Sequence, residues 1–185
     1  MYLKILITSF FFFNFCFHLG ANEKQSIIDH LLKIDNFAFN FEQVTGEKIE
    51  TGNCLLKFDN KLRCHYDGKR QKEIIINNKK LAVLQKRYNK ISLYPITKSA
   101  LINILSKKKL INLIKNSDLR LNGNIELIYL GDSQKKITVF FEKKNYTLIG
   151  WEIEDEFQNE IYFSLKIKQI NTEIDKNYFK IPSIN

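Results

Sequence analysis

Two of the chain's three cysteines, Cys54 and Cys64, bracket the stretch NCLLKFDNKLRC. Cysteines so placed have three chemistries open to them: a disulfide, part of a metal site, or a nucleophile beside a histidine. A metal site lacks its remaining ligands. No further cysteine follows, and His65 points to the other face of a strand from Cys64. The same alternation keeps Cys64 and His65 from meeting as nucleophile and base. His30 follows Asp29 in a helical pattern and reads as a surface residue. The run EIEDE (Glu152 to Glu156) offers carboxylates, but at a strand end it reads as solvated charge and not as an acid–base pair. No phosphate-gripping glycine loop and no nucleophile elbow is present. The expectation is a protein with no catalytic residue, no metal and no cofactor.

The disulfide has geometric support. With Phe58-Asp59-Asn60 as a three-residue hairpin loop and Asn60 left-handed, Lys57 faces Lys61, Leu56 faces Leu62, and Cys54 faces Cys64. Directly opposed residues lie about 4.5–5.5 Å apart, within disulfide range. Two buried free thiols are the alternative. Oxidation needs an oxidising compartment, and the N-terminus points to one. MYLK is followed by the apolar ILITSFFFFNFCFHLG and then by polar ANEK, the pattern of a secretory signal peptide over residues 1–21. The apolar run is short of the about 20 residues that span a bilayer. A retained anchor is the alternative. Cys16 follows bulky Phe15 and does not look like a lipid-attachment cysteine; cleavage after Ala21 removes it. The mature chain, 22–185, is expected to be exported and soluble.

The elements that must position these residues follow from periodicity. NEKQSIIDHLLKID places Ile27, Ile28, Leu31, Leu32 and Ile34 at helix spacing, with Ser26 as a candidate cap. NFAFNF then switches to a period of two, with Phe37, Phe39 and Phe41 on one face. Strands follow closely. The cysteine hairpin comes first, then QKEIIINN and KKLAVLQKR turning at Asn77-Asn78, then NKISLYP. Later come NGNIELIYLGDS, KKITVFFEKK, YTLIGWEIEDE and NEIYFSLKIKQI. Between the two groups, TKSALINILSKKKLINLIKNS reads as two short helices capped by Ser99 and Ser106. Tight connections imply an antiparallel sheet, and a long one curls. The fold class expected is α+β: an antiparallel sheet of about 10–11 strands curled into a complete or incomplete barrel (a barrel or half-barrel), with an N-terminal helix and short helices that can cover an apolar concave face.

The chain has 185 residues, one domain's worth. Its 29 Lys and Arg exceed its 20 Asp and Glu, a formal net charge of +9. The lysines are dispersed along the chain, so they read chiefly as solvated surface; export makes nucleic acid an improbable partner. The concave face is bulky: Phe37, Phe39, Phe41, Leu56, Phe58, Leu62, Trp151, Ile153, Ile161 and Phe163. Under tight helices that face is a core. Under loose ones it becomes a pocket for a greasy ligand.

The mature chain resembles the periplasmic outer-membrane lipoprotein carriers, the LolA family. FAFNFEQVTGEKIETGNCLLKF is similar to that family's opening, with Phe37, Phe41, Gln43 and Gly52 on matching positions. RQKEIIINNKKLAVLQKR resembles its strand–turn–strand. SALINIL resembles its lid helix, with Ser99-Ala100 in place of Thr-Pro, and NYFKIP its terminal motif. The resemblance implies a monomeric half-barrel that accepts lipoprotein acyl chains from an inner-membrane ATP-driven transporter and delivers them to an outer-membrane receptor. It implies that the ten residues above line a lipid-binding cavity and that Leu101, Ile104 and Leu105 belong to a lid. Where the family carries an arginine and a proline at the first hairpin's tip, this chain has Phe58 and Asp59. The lid around Ser99 to Leu105 is therefore expected to be held by apolar contact with Phe58. The receptor of similar fold and a periplasmic lipid hydrolase are the alternatives.

Overall fold

The computed structural model describes residues 18–58, 60–96, 99–131, 136–154 and 159–182. Helix α1 (His18–Leu32) leads into β1 (Asn36–Thr45), β2 (Lys48–Lys57), β3 (Lys61–Tyr66), β4 (Lys72–Asn77), β5 (Lys80–Gln85) and β6 (Lys90–Pro95). Helices α2 (Ile102–Leu105) and α3 (Lys107–Asn116) follow. The chain then forms β7 (Asp118–Asn122), β8 (Asn124–Leu130), β9 (Lys136–Phe141), β10 (Leu148–Glu154) and β11 (Glu160–Ile170). All eleven strands make one antiparallel sheet in the order β6-β5-β4-β3-β2-β1-β11-β10-β9-β8-β7. β6 and β7 end the sheet and do not pair with each other, so the barrel stays open. This is the expected half-barrel.

The period-two pattern sorts the strands into faces. Phe37, Phe39 and Phe41 are buried while Asn40 and Glu42 are exposed. Leu56, Leu62, Ile125, Leu127, Val139, Phe141 and Trp151 join the phenylalanines in one cluster. Ile27, Leu31, Leu110, Leu113 and Ile114 of α1 and α3 complete it, so the helices cover this face. The other face has a smaller core. Ile75, Ala82 and Leu84 pack together with Ile91 and with Ile181 of the C-terminal segment. That segment is fastened by Arg63, which donates to the Tyr178 carbonyl at 2.6 Å and lies 5.2 Å from the Tyr178 ring centroid.

Several local expectations need correction. α1 already runs from His18, the first described residue, so Ser26 lies inside it and caps nothing; the stretch from Gly20 to Gln25 continues the helix upstream. The turn between β4 and β5 is Asn78-Lys79, one residue later than Asn77-Asn78. Asn77 pairs with Lys80, and Asn78 is the residue at positive φ, 57°. Ser106 caps α3, accepting from the Lys109 N–H. Ser99 instead accepts from Leu101 N–H, one step before α2, which has no side-chain cap. β7 was not foreseen: it is a short edge strand in which no residue is fully buried, so its apolar alternation is faint. Cys16, Asp59, Asp155 and Glu156 lie outside the described residues.

Candidate functional site

The disulfide is present. Asn60 adopts φ 62°, which closes the three-residue loop and sets Leu56 opposite Leu62 and Cys54 opposite Cys64. The sulfurs are bonded, with the Cα atoms 4.1 Å apart. A crosslink over so short a loop is worth about 2–3 kcal/mol. Protein taken from its native compartment should show no labelling of Cys54 or Cys64 under denaturing, non-reducing conditions. Cys54→Ala with Cys64→Ala should lower unfolding free energy by that amount in urea titrations.

The hairpin tip is also tied to the helices. Phe58 packs on the core beside Phe37, ring centroids 6.1 Å apart, with Lys107 Nζ 5.4 Å from its centroid. The link to α2 is a backbone bond: Asn60 N–H donates to the Leu105 carbonyl at 3.0 Å. Asn78 N–H in turn donates to the Asn60 carbonyl at 2.9 Å, joining the next hairpin to the same knot.

Behind this knot lies a cavity of about 480 Å³. Leu62, Cys64, Ile74 and Leu81 of β3–β5 form one wall, and Trp151, Ile153, Ile161 and Phe163 of β10–β11 the other. Tyr94 to Ile96 and Ser99 to Leu101, leading from β6 into α2, close over it. An aromatic row runs from its floor into the core behind it. Trp151 stacks on Phe163 at 4.5 Å and 5°, Phe163 stacks on Phe41 at 4.8 Å and 17°, and Phe41 meets Tyr66 edge-on at 4.8 Å. Such contacts fix ring positions beyond what burial alone does.

Of the ten expected cavity residues, Leu62, Trp151, Ile153, Ile161 and Phe163 line it. Phe37, Phe39, Phe41 and Leu56 do not: they stand behind the lining in the core, at most 4% exposed. Phe58 is likewise packed on the core and does not reach the cavity. The physical reason is depth. Alternation gives the face a side chain is on, and here α1 and α3 already fill part of that face. Among the lid residues, Leu101 lines the cavity, while Ile104 and Leu105 are fully buried in the core.

The sequence did not mark any polar residue as cavity lining. Gln43, Tyr66 and Lys72 sit together, and Glu154 lines the cavity from the opposite wall. Tyr66 Oη donates to Gln43 Oε1 at 2.7 Å. Lys72 Nζ lies 3.6 Å over the Tyr66 ring and donates to both Glu50 oxygens at 2.7 Å. Burial lowers the Lys72 pKa, against the pull of Glu50. Burial, then the Glu50 charge, raises that of Tyr66. Burial would raise Glu50, but hydrogen bonds from Lys48 and Lys72 more than offset it. The signal available in the sequence was the switch from apolar to polar residues on inward positions near the ends of β1, β3 and β4.

His65 sits on the opposite face, its Nδ1 3.8 Å from Glu73, and burial holds its pKa below the usual value against the pull of Glu73. Among the described residues no group of three His, Cys, Asp or Glu is placed to hold a metal. Nor is any described helix long and apolar enough to cross a membrane.

Known proteins share this architecture. An uncharacterised conserved protein of Thermus thermophilus superposes with a TM-score of 0.54 at 11% identity, over 89% of this chain and 94% of that one. A chain of the Pseudomonas aeruginosa MucA/MucB complex gives 0.50 at 10% identity, over 88% of this chain and 61% of that one. A LolA superfamily protein of Nitrosomonas europaea gives 0.46 at 10% identity, over 88% and 97%. At these identities the likeness is one of fold. No curated protein sequence matches the chain. The profile of the family described as outer membrane lipoprotein carrier protein LolA matches residues 33–182, from the end of α1 to the C-terminal segment. The chain belongs to the LolA family.

Proposed function

We propose that this protein is a periplasmic carrier that holds lipoprotein acyl chains in the cavity and escorts lipoproteins from the inner-membrane transporter toward the outer membrane. The observation that carries the reading is the cavity itself. It is apolar over most of its wall, floored by stacked rings, and its volume lies in the range of about 300–1,000 Å³ usual for small-ligand sites. Each methylene withdrawn from water is worth about 0.8 kcal/mol, so an acyl chain cannot cross an aqueous space without cover. Family membership and the exported N-terminal pattern agree with this reading.

Trp151, the only tryptophan in the chain, lines the cavity and gives a direct test. Titration with a synthetic diacylated lipopeptide is expected to change its emission saturably, and mass spectrometry of protein purified from the periplasm to find acylated lipid or lipoprotein. Lipopeptide that leaves the emission unchanged, with no lipid recovered, would count against the carrier. An acylated N-terminal cysteine would identify the receptor instead, and steady release of free fatty acid the hydrolase.

A further inference from the structure

A strand in the middle of the sheet has an open edge. Between Leu148 and Gly150 the register of β10 against β9 slips by one residue, so Ile149 sits in a bulge. A bulge bends the strand that carries it. The pairing of β10 with β11 ends at Gly150 opposite Ser164, while β11 runs on to Ile170, held by β1 on its other side. Among the described residues no strand pairs with the β10 side of residues 165–170. Six extended residues span about 20 Å, and every second one turns its N–H and C=O toward the opening.

The opening is a groove of about 610 Å³. It is lined by all of residues 165–170, by His30 and Ile34 of α1, and by Leu148, Ile149 and the turn that joins β9 to β10. It shares no lining residue with the cavity, which takes Ile161 and Phe163 from the other end of β11. Along the edge, apolar Leu165 and Ile167 alternate with Lys166 and Lys168. Both lysines are exposed, and among the described residues neither enters an ion pair. Glu142 is the one acidic side chain in the lining among the described residues. Burial, then the Lys33 charge, lowers the His30 pKa, which places a third cation close by.

An uncovered edge invites another strand, and lysines on it decide which. Like charges directly opposed across a strand pair are destabilising, and opposite charges stabilise it. Lys166 and Lys168 therefore disfavour pairing with the same edge of a second copy and favour a strand that carries acids. We propose that residues 165–170 are a docking edge for an extended acidic segment of a partner protein, which adds a strand to the sheet in the notch between β11 and the start of β10. The segment that fits alternates acidic with apolar residues, the acids meeting the two lysines and the apolar side chains meeting Leu165 and Ile167. The inference does not depend on what fills the cavity.

The test is fluorescence anisotropy of dye-labelled six-residue peptides with the full mature chain. One peptide alternates valine with glutamate, a second alternates valine with lysine, and a third is the acidic peptide with two valines replaced by proline. The acidic peptide is expected to bind about tenfold more tightly than the basic one, since opposite-charge pairs replace like-charge pairs at two positions. The proline peptide, of equal charge, should lose that affinity, and the acidic peptide should slow hydrogen exchange at alternate amides of residues 165–170. Lys166→Glu with Lys168→Glu should reverse the preference. Should that variant fail to fold, Lys166→Gln with Lys168→Gln should abolish it. Lys108→Glu with Lys109→Glu, an exposed pair on α3, should leave it unchanged. Equal affinity for the acidic and basic peptides, binding of neither, or a proline peptide that binds like its parent overturns the proposal. So does a preference that the α3 pair shifts as much as the β11 pair, which would report only the chain's formal charge of +9. Self-association, or adsorption to phosphatidylglycerol vesicles, that Lys166→Glu with Lys168→Glu abolishes while peptide binding stays unchanged would give the edge to a second copy or to a lipid surface, and overturns it as well.

Discussion

Glu73→Gln is expected to cost about 3 kcal/mol of unfolding free energy at pH 7, toward the lower end of the range for breaking a buried ion pair. The carboxylate is 1% exposed on the face away from the cavity, paired with Arg63 and, at 2.7 Å, with Lys86. The amide keeps the shape and removes the charge, leaving the Arg63 guanidinium partly buried without its counter-ion. Arg63 retains the Tyr178 carbonyl, which limits the loss. Burial pushes the Glu73 pKa up, but the bonds from Lys86 and Arg63, with the Arg63 charge, prevail and hold it below the usual carboxylate value. A depressed folded-state pKa stabilises above the unfolded value and loses that contribution as pH falls through the folded one. The gap between wild type and Glu73→Gln should thus be widest near neutrality and close below about pH 4. Urea unfolding across that range measures it. Because Arg63 also fastens the C-terminal segment, limited proteolysis of the variant should cut within residues 171–182 before the sheet unfolds.

Gly52→Ala should be as damaging for a different reason. A Cβ at this position would lie 2.1 Å from the backbone carbonyl oxygen of His65 and 2.8 Å from the Phe41 ring. The carbonyl belongs to β3, so relief means separating β2 from β3 next to the Cys54–Cys64 bond. Overpacking of this kind reaches about 3 kcal/mol, and here no flexible side chain can yield to reduce it. Thermal unfolding measures the loss. Phe41 stacks on the cavity's Phe163, so the variant should also weaken acyl-chain binding at temperatures where it stays folded. A stable variant with normal binding would mean that β2 can part from β3 at no cost.

Strand faces and the register of the cysteine hairpin were legible in the sequence because both follow from local rules. Period-two alternation assigned Phe37, Phe39 and Phe41 to one side, and a left-handed asparagine fixed the cysteine pairing. Depth was not legible. Phe39 and Trp151 share a face, yet one is core and the other cavity wall, and only the placement of α1, α3 and the segment leading into α2 decides which. The polar end was hidden for a related reason. Gln43, Tyr66 and Lys72 are far apart in the chain, and each alone looks like an ordinary strand-end residue. The backbone bond from Asn60 to Leu105 was beyond reach, since any residue but proline can donate it.

The strand order also sets a sequence of events in time. β1 to β6 pair with successive neighbours, as do β7 to β11, so each half can zip up from contacts close along the chain. The halves join in the sheet only where β1 meets β11, with Phe37 opposite Ile170, a contact separated by most of the chain's length. Contacts so distant are entropically slow to form. The cavity has one wall in each half, β3–β5 and β10–β11. It therefore cannot exist until the last strand has been made and has found its register. A nascent or half-folded chain has no site to fill, and capacity to bind should appear with the slowest refolding phase, after most secondary structure is already in place.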